Sequence, residues 1–180
     1  STTNRSTPVQ ILSSGVTEIA AGNIHSLFVK TDGSLWSMGY NDKGQLGDNS
    51  NTHRSSPVKI ENSGVSKVAA GYRSSTYLKT NGSLWGTGYN HVGQLGDGTA
   101  MNRNSPVQIQ SDGVIEMSRG LYVLYFIKSD NTFWASGWGG HNGLGDGTGI
   151  NHYSPIQPRL HSIVEQPYVP ENIGEILPSQ

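Results

Sequence analysis

The chain has 180 residues, 24 of them glycine, with a formal net charge of −1 and no cysteine. Near-neutral charge gives no electrostatic ground for a nucleic-acid or anionic-membrane partner, no run of 18 apolar residues marks a membrane span, and without cysteine there is no disulfide framework, thiol nucleophile or thiolate metal site. Charged residues make up 14% of the chain where ~25% is usual, and this low charge, with many Ser, Thr and Asn, gives a compositional expectation of an extracellular or cell-surface protein.

From the N-terminus, "TPVQIL" (Thr7–Leu12) is short and apolar and reads as an outer strand over 8–12. "GVTEIAAG" alternates before a glycine and predicts a strand near 16–21. "HSLFVK" and "SLWSMG" predict strands near 25–31 and 34–39. Asp32-Gly33 joins them, and such a dipeptide predicts a two-residue hairpin because both residues tolerate positive φ. Next comes the glycine-rich decamer "GYNDKGQLGD", Gly39–Asp48, and then a strand near 56–60. No stretch shows sustained helical periodicity with caps.

The series then restarts. Pro8, Pro57, Pro106 and Pro155 are each 49 residues apart, and Trp36, Trp85 and Trp134 keep step with Asp48, Asp97 and Asp146. Residues 8–56 and 57–105 share 26 identities in 49 positions, which establishes internal duplication. Four strands per unit with glycine turns is the pattern of a β-propeller blade. A β-solenoid is the alternative, with repeats that are usually shorter. The expected division is a leading outer strand (1–12), blades over 13–60, 61–109 and 110–160, and an extended tail over 161–180. The architecture is therefore all-β: about three four-stranded antiparallel blades of an unclosed propeller, or part of a larger or oligomeric ring. Three blades leave open edges, so the chain is expected to need further repeats or other copies of itself to complete a ring.

The stretch "AAGNIHSLFVKTDGSLWSMGYNDKGQLGD" resembles the regulator of chromosome condensation repeat, in a bacterial-type form, over about Pro8 to Leu160. The matching elements are Ala-Gly-x-x-His-Ser, a strand hairpin, an aromatic with glycine, and Asn-x-x-Gly-Gln-Leu-Gly. The resemblance implies a propeller commonly closed by about seven blades and a non-catalytic role in protein interaction. Some relatives are nucleotide exchange factors for a small GTPase, and one bacterial branch inhibits β-lactamases; no basic tail or charged inserted hairpin supports the exchange role here. The third copy departs from the pattern: Asn41 and Asn90 become Gly139, Gln45 and Gln94 become Gly143, and His25-Ser26 becomes Ser74-Ser75 and then Val123-Leu124.

The chemistry of catalysis is thin. The decamer lacks a following helix and a Gly-Lys-Ser/Thr, so it is not a phosphate loop, and Asp42 and Asp48 do not fit a calcium ladder. It reads as a structural turn, whose glycines and Asn41 or Asn90 permit left-handed backbone. His25 and Ser26 are neighbours in a strand and point to opposite faces. No His-x-His or His-Glu-x-x-His offers zinc ligands, and no cofactor or enzymatic activity is expected. The Trp column reads as packing between blades rather than a ring of stacking platforms. The basic column Arg5, Arg54, Arg103 and His152 reads as partners for the repeated aspartates.

Where identical columns are scaffold, differing columns hold specificity. In a four-strand meander the loops after the first and third strands share one end. The first set is Asn23-Ile24-His25, Tyr72-Arg73-Ser74 and Leu121-Tyr122-Val123; the second is Asp42-Lys43, His91-Val92 and Gly140-His141, with Trp138 beside it. The candidate partner-binding residues are thus Asn23, Ile24, His25, Tyr72, Arg73, Leu121, Tyr122, Asp42, Lys43, His91, Trp138 and His141. A protein is the expected partner. A glycan, in a lectin-like propeller, is the alternative.

Overall fold

The computed structural model describes residues 4–158. Its strands are β1 (Val16–Ala21), β2 (His25–Lys30), β3 (Leu35–Gly39), β4 (Arg54–Glu61), β5 (Val65–Ala70), β6 (Ser74–Lys79), β7 (Leu84–Gly88), β8 (Arg103–Gln110), β9 (Val114–Arg119), β10 (Val123–Lys128), β11 (Phe133–Gly137) and β12 (His152–Ile156). They form three four-stranded antiparallel sheets in simple sequence order, one per repeat. Among the described residues no strand ladder joins one sheet to another, so each sheet is a blade of an unclosed propeller. The only helical element described is a single 3-10 turn, Gly140–Asn142.

Two local expectations are corrected. Residues 8–12 form no strand: as an outer strand they would pair with the third strand of a preceding blade, which the described residues do not include, and Val9 and Ile11 stay exposed. The hairpin between β2 and β3 is not a two-residue turn. Gly33 N–H donates to the Lys30 carbonyl at 2.8 Å, and only Gly33 (φ 75°) is left-handed, so Thr31 and Asp32 are the corners and Gly33 closes the loop. Asn131 (φ 64°) takes the position in the third copy, since asparagine tolerates this conformation better than most residues. Asp32 then accepts from the Ser34 hydroxyl at 2.6 Å, and the Trp36 indole N–H donates to Ser34 Oγ at 2.9 Å. The same relay runs through Asn81, Ser83 and Trp85, and through Asp130, Thr132 and Trp134.

Strand alternation sends one face of each blade to each neighbour. Leu27, Val29 and Leu35 of the first blade bury Val65, Val68 and Tyr77 of the second, with Trp85 packed on the cluster. Leu78 and Leu84 of the second bury Val114, Met117, Leu124 and Phe126 of the third, with Trp134 alongside. Backbone bonds tie the same seams. Val65 N–H donates to the Gly33 carbonyl and Val114 N–H to the Gly82 carbonyl, both at 3.0 Å. A Cβ on Gly33 would stand 2.7 Å from the Gly64 nitrogen, so glycine is required for that approach as well as for its φ.

The Trp column packs between blades at Trp85 and Trp134. All three tryptophans stack on the aromatic residue opposite them in their own blade, Trp36 on Phe28, Trp85 on Tyr77 and Trp134 on Phe126, with ring centroids 6.2, 6.4 and 6.3 Å apart, but Trp36 belongs to neither of the clusters between blades. Trp85→Ala is therefore expected to lower the unfolding free energy by about 3–5 kcal/mol, and Trp36→Ala by clearly less, as read by chemical denaturation.

Candidate partner-binding face

The decamer is a clamp between blades, and it also shapes the loop end. Asn41 is fully buried. Its Nδ2 donates to Asp48 Oδ1 at 2.9 Å and to the Ser50 carbonyl at 2.9 Å, while its Oδ1 accepts from Leu46 N–H at 2.9 Å. Asn90 does the same with Asp97, Thr99 and Leu95. A buried amide that is bonded on both sides fixes the loop, and leaving such groups unpaired costs about 1–3 kcal/mol each. The folded loop lies against the next blade. Asn49 N–H donates to the Asn104 carbonyl and Gly98 N–H to the Tyr153 carbonyl, at 2.8 and 2.9 Å. A Cβ on Gly93 would stand 2.6 Å from the Tyr153 Cα, which excludes any larger residue.

Beneath the loops, each seam closes on one carbonyl. The Gln45 carbonyl accepts from Ser75 Oγ at 2.7 Å and Thr87 Oγ1 at 3.2 Å. Ser75 spends its proton there, so the His25 ring 2.9 Å away donates to it from Nε2. His25 is buried, and burial, assisted by the Arg119 charge, lowers its pKa to about 4, so the ring is neutral at physiological pH. In the next seam Leu124 replaces Ser75. There Arg119 stands where earlier repeats carry Ala21 and Ala70, and its Nη2 donates to Ser74 Oγ at 2.5 Å and to the Gln94 carbonyl at 3.1 Å. Burial lowers the guanidinium pKa to about 9, which leaves it charged at neutral pH. His25, a candidate partner-binding residue of the loop end, is instead buried in the seam and serves the scaffold.

The two loop sets do share one end. In each blade they are joined by a backbone bond: Tyr40 N–H to the Ile24 carbonyl, Tyr89 N–H to Arg73, and Trp138 N–H to Tyr122, at 2.8–2.9 Å. Arg73 Nη1 donates to Asp42 Oδ2 at 2.7 Å, with Lys43 Nζ 3.7 Å from the same oxygen. The Arg73 guanidinium lies over the rings of Tyr40 and Tyr72, 5.6 and 5.2 Å from their centroids. Tyr72 meets Tyr122 at 5.4 Å, and Trp138 meets His141 edge-on at 5.4 Å. Asn23, Ile24, Leu121 and His91 are exposed on the same end. Tyr89, Val92, Tyr122 and Trp138 line a groove of about 220 Å³ between the second and third blades.

Three of these groove and ledge residues were absent from the sequence candidates: Tyr40, Tyr89 and Val92. Tyr40, Tyr89 and Trp138 are one column at the 49-residue period. The rule that repeated residues are scaffold passed over the first two, although an aromatic between a strand end and a buried Asn must leave the core. Among the described residues no three His, Asp or Glu side chains gather as metal ligands, and no helix is long and apolar enough to cross a membrane.

The model described as the regulator of chromosome condensation (RCC1) repeat matches residues 32–78 and 81–122, and a second model of that description matches 16–45 and 65–94. Together they reach over 16–122, more than half of the chain. Among solved structures the chain is similar to human WBSCR16, with 25% identity and a TM-score of 0.71, covering 83% of this chain and 39% of that one. It is similar in fold to Prp20p from Saccharomyces cerevisiae, a protein with binding properties to Gsp1p and histones, at 19% identity and a TM-score of 0.74 over 83% and 39%. The same fold is seen in yeast RCC1 (Prp20) bound to Kap60, at 19% identity and a TM-score of 0.73 over 83% and 38%. The chain thus spans about two fifths of the length of these relatives. No curated protein matches it.

The repeated aspartates hold this end together and give it a pH dependence. Arg54 lies 2.7 Å from Asp48, Arg103 2.7 Å from Asp97, and His152 2.6 Å from Asp146, as the basic column led one to expect. Burial opposes ionisation of Asp48 and Asp97, but the Ser50 and Thr99 hydroxyls and the two arginines outweigh it and hold both below the ordinary range. The Thr148 hydroxyl and N–H, with His152, lower Asp146 to about 2. Their unfolded value is about 3.9. The ionised forms therefore stabilise the fold above roughly pH 4, and that contribution is lost as pH falls through the lower folded values. The denaturation midpoint is expected to drop steeply between about pH 4 and 2, and Asp97→Asn is expected to flatten that drop.

Proposed function

The chain belongs to the regulator of chromosome condensation repeat family, and from that membership we propose that it is a non-catalytic protein-binding propeller segment whose partner docks on the loop-rich end. The observation that carries this reading is the aromatic groove of Tyr89, Val92, Tyr122 and Trp138, flanked by the Tyr72 and Arg73 ledge. Tyr, Trp and Arg on rigid loops are the side chains that supply interface hot spots, because they bury large area at small entropic cost. The loops that carry Tyr40, Tyr89 and Val92 are held in shape because Asn41 and Asn90 bond them from within. Arg73 already has Asp42 as a counter-charge, so its stacked guanidinium offers a face rather than an unpaired charge.

A glycan reading would want the same aromatic and polar residues on every blade's loop. Positions 72–73 and 121–122 instead change from Tyr-Arg to Leu-Tyr, which favours a single protein footprint across two blades.

Proteins retained by the immobilised chain, compared with those retained by Tyr122→Ala and Trp138→Ala, test the reading. A partner is expected to bind the intact chain and to lose about 1–3 kcal/mol against either variant, while both variants keep the parent unfolding midpoint. Retention untouched by both changes would remove the loop end as the site. Glycan-array binding that survives them would favour a lectin.

A further inference from the structure

The groove on the loop end has the chemistry of a receptor for a proline-rich strand. Tyr89, Tyr122 and Trp138 wall it together with Val92, around about 220 Å³. Flat aromatic walls receive pyrrolidine rings. A polyproline II segment makes no internal hydrogen bonds, so its carbonyls are free to accept from tyrosine hydroxyls and an indole N–H. On the ledge beside the groove, Arg73 and Lys43 share a single carboxylate, Asp42, which leaves a surplus of positive charge. The ligand that fits is an acidic segment with prolines three residues apart, which polyproline II geometry sets on one face about 9 Å from each other.

The chain carries such a segment in the tail expected over 161–180, which lies outside the described residues. It reads "EQPYVPEN", Glu165–Asn172, with Pro167 and Pro170 set between Glu165 and Glu171. Its point of departure is close to the groove. A Cβ on Gly145 would stand 3.4 Å from the Pro158 Cβ. Gly145 N–H donates to the Asn142 carbonyl at 3.0 Å, and Gly143 N–H to the Gly140 carbonyl at 3.3 Å. A Cβ on Gly140 would in turn fall 2.4 Å from the Trp138 ring. Pro158, the last described residue, thus lies beside the loop that carries Trp138. Pro167 follows it by nine residues, which reach about 30 Å when extended, ample for that step.

We propose that the tail of this chain docks in its own loop-end groove. Pro167 and Pro170 lie against Tyr89, Tyr122 and Trp138, and a flanking glutamate lies on the Arg73 and Lys43 ledge. The outside partner then has the same chemistry, a proline-rich acidic segment, and must displace the tail to bind. The inference rests on the loop-end reading and adds to it an occupant and a means of regulation.

Incorporation of 5-fluorotryptophan into the full chain gives each of its four tryptophans a fluorine resonance, and Trp138→Phe assigns the one that faces the groove. Pro167→Ala with Pro170→Ala is expected to shift the Trp138 resonance. The resonances of Trp36, Trp85 and Trp134, which report intact blades, are expected to stay in place. A peptide of residues 164–172 added to that variant is expected to return the Trp138 resonance toward its parent position. The tether holds the tail at an effective concentration of order mM, so the same peptide is expected to bind the parent at least about tenfold more weakly than the variant. A Trp138 resonance unmoved in the variant would overturn the proposal, as would a peptide that fails to bind the variant or binds both chains equally. A parent Trp138 resonance that changes with protein concentration would overturn it in favour of a tail from a second copy. In each of these cases, retention of an outside partner that still depends on Trp138 would keep the loop-end reading, so the two fail separately.

Discussion

In each seam one loop carbonyl gathers the side-chain hydrogen bonds that cross beneath the loops, and much else follows from keeping that contact. The carbonyl belongs to Gln45 in the first seam and Gln94 in the second. It sits in the middle of the decamer, so the decamer must fold tightly, reach the next blade and present its backbone at close range. Glycine at positions 44 and 93 allows the approach, and a buried asparagine at 41 and 90 holds the shape. The two seams satisfy the carbonyl differently. In the first, a neutral His25 leans on Ser75, which donates to Gln45. In the second, Leu124 has no hydroxyl, and Arg119 reaches back from the inner strand to do the same work. The exchange of Ala70 for Arg119 and of Ser75 for Leu124 is one compensated change rather than two independent ones.

The third decamer departs from this pattern. No blade follows it among the described residues, and it has lost both the asparagine and the glutamine. Its loop folds as a 3-10 turn with His141 at φ 56°, and the Gly143 carbonyl is taken up by the Tyr125 hydroxyl of its own blade. A loop without the buried asparagine is not held from within as the first two are. The same freedom lets Trp138 and His141 stand out on the loop end, where they help to wall the groove.

The period, the four strands per unit and the turn role of the decamer were legible because backbone constraints repeat at fixed spacing. Strand ends came within a residue or two for the three inner strands of the first blade, and its outer strand begins two residues earlier, at Arg54, where the residue is tied to Asp48. What a single repeat cannot state is the direction in which a side chain crosses a seam. His25 opens the strand expected from 25, as β2 shows, but its place in the loop set beside Asn23 and Ile24 does not hold, because its side chain points into the next blade. Tyr40 and Tyr89 looked like scaffold because they recur, yet they lie where the chain leaves the sheet toward the loop end. The leading strand over 8–12 calls for the third strand of a preceding blade, which the described residues do not include. The hairpin was misread because Asp-Gly satisfies two turn types, and the relay from Trp36 through Ser34 to Asp32 selects the one in which Asp32 is a corner.

Native-state hydrogen exchange tests the seam most directly, because it reads each amide's opening separately. Leu46 and Leu95 N–H groups, held by the buried Asn41 and Asn90 side chains, should exchange only with global unfolding, as slowly as amides in β5 and β6. Amides of β1, whose outer face meets no neighbouring blade among the described residues, should open at lower free energy than their counterparts in β5 and β9. Equal protection of β1 and β5, or Leu46 and Leu95 exchanging like free loop amides, would contradict the view that packing and polar contact at the blade seams hold this fold and its loop end in place.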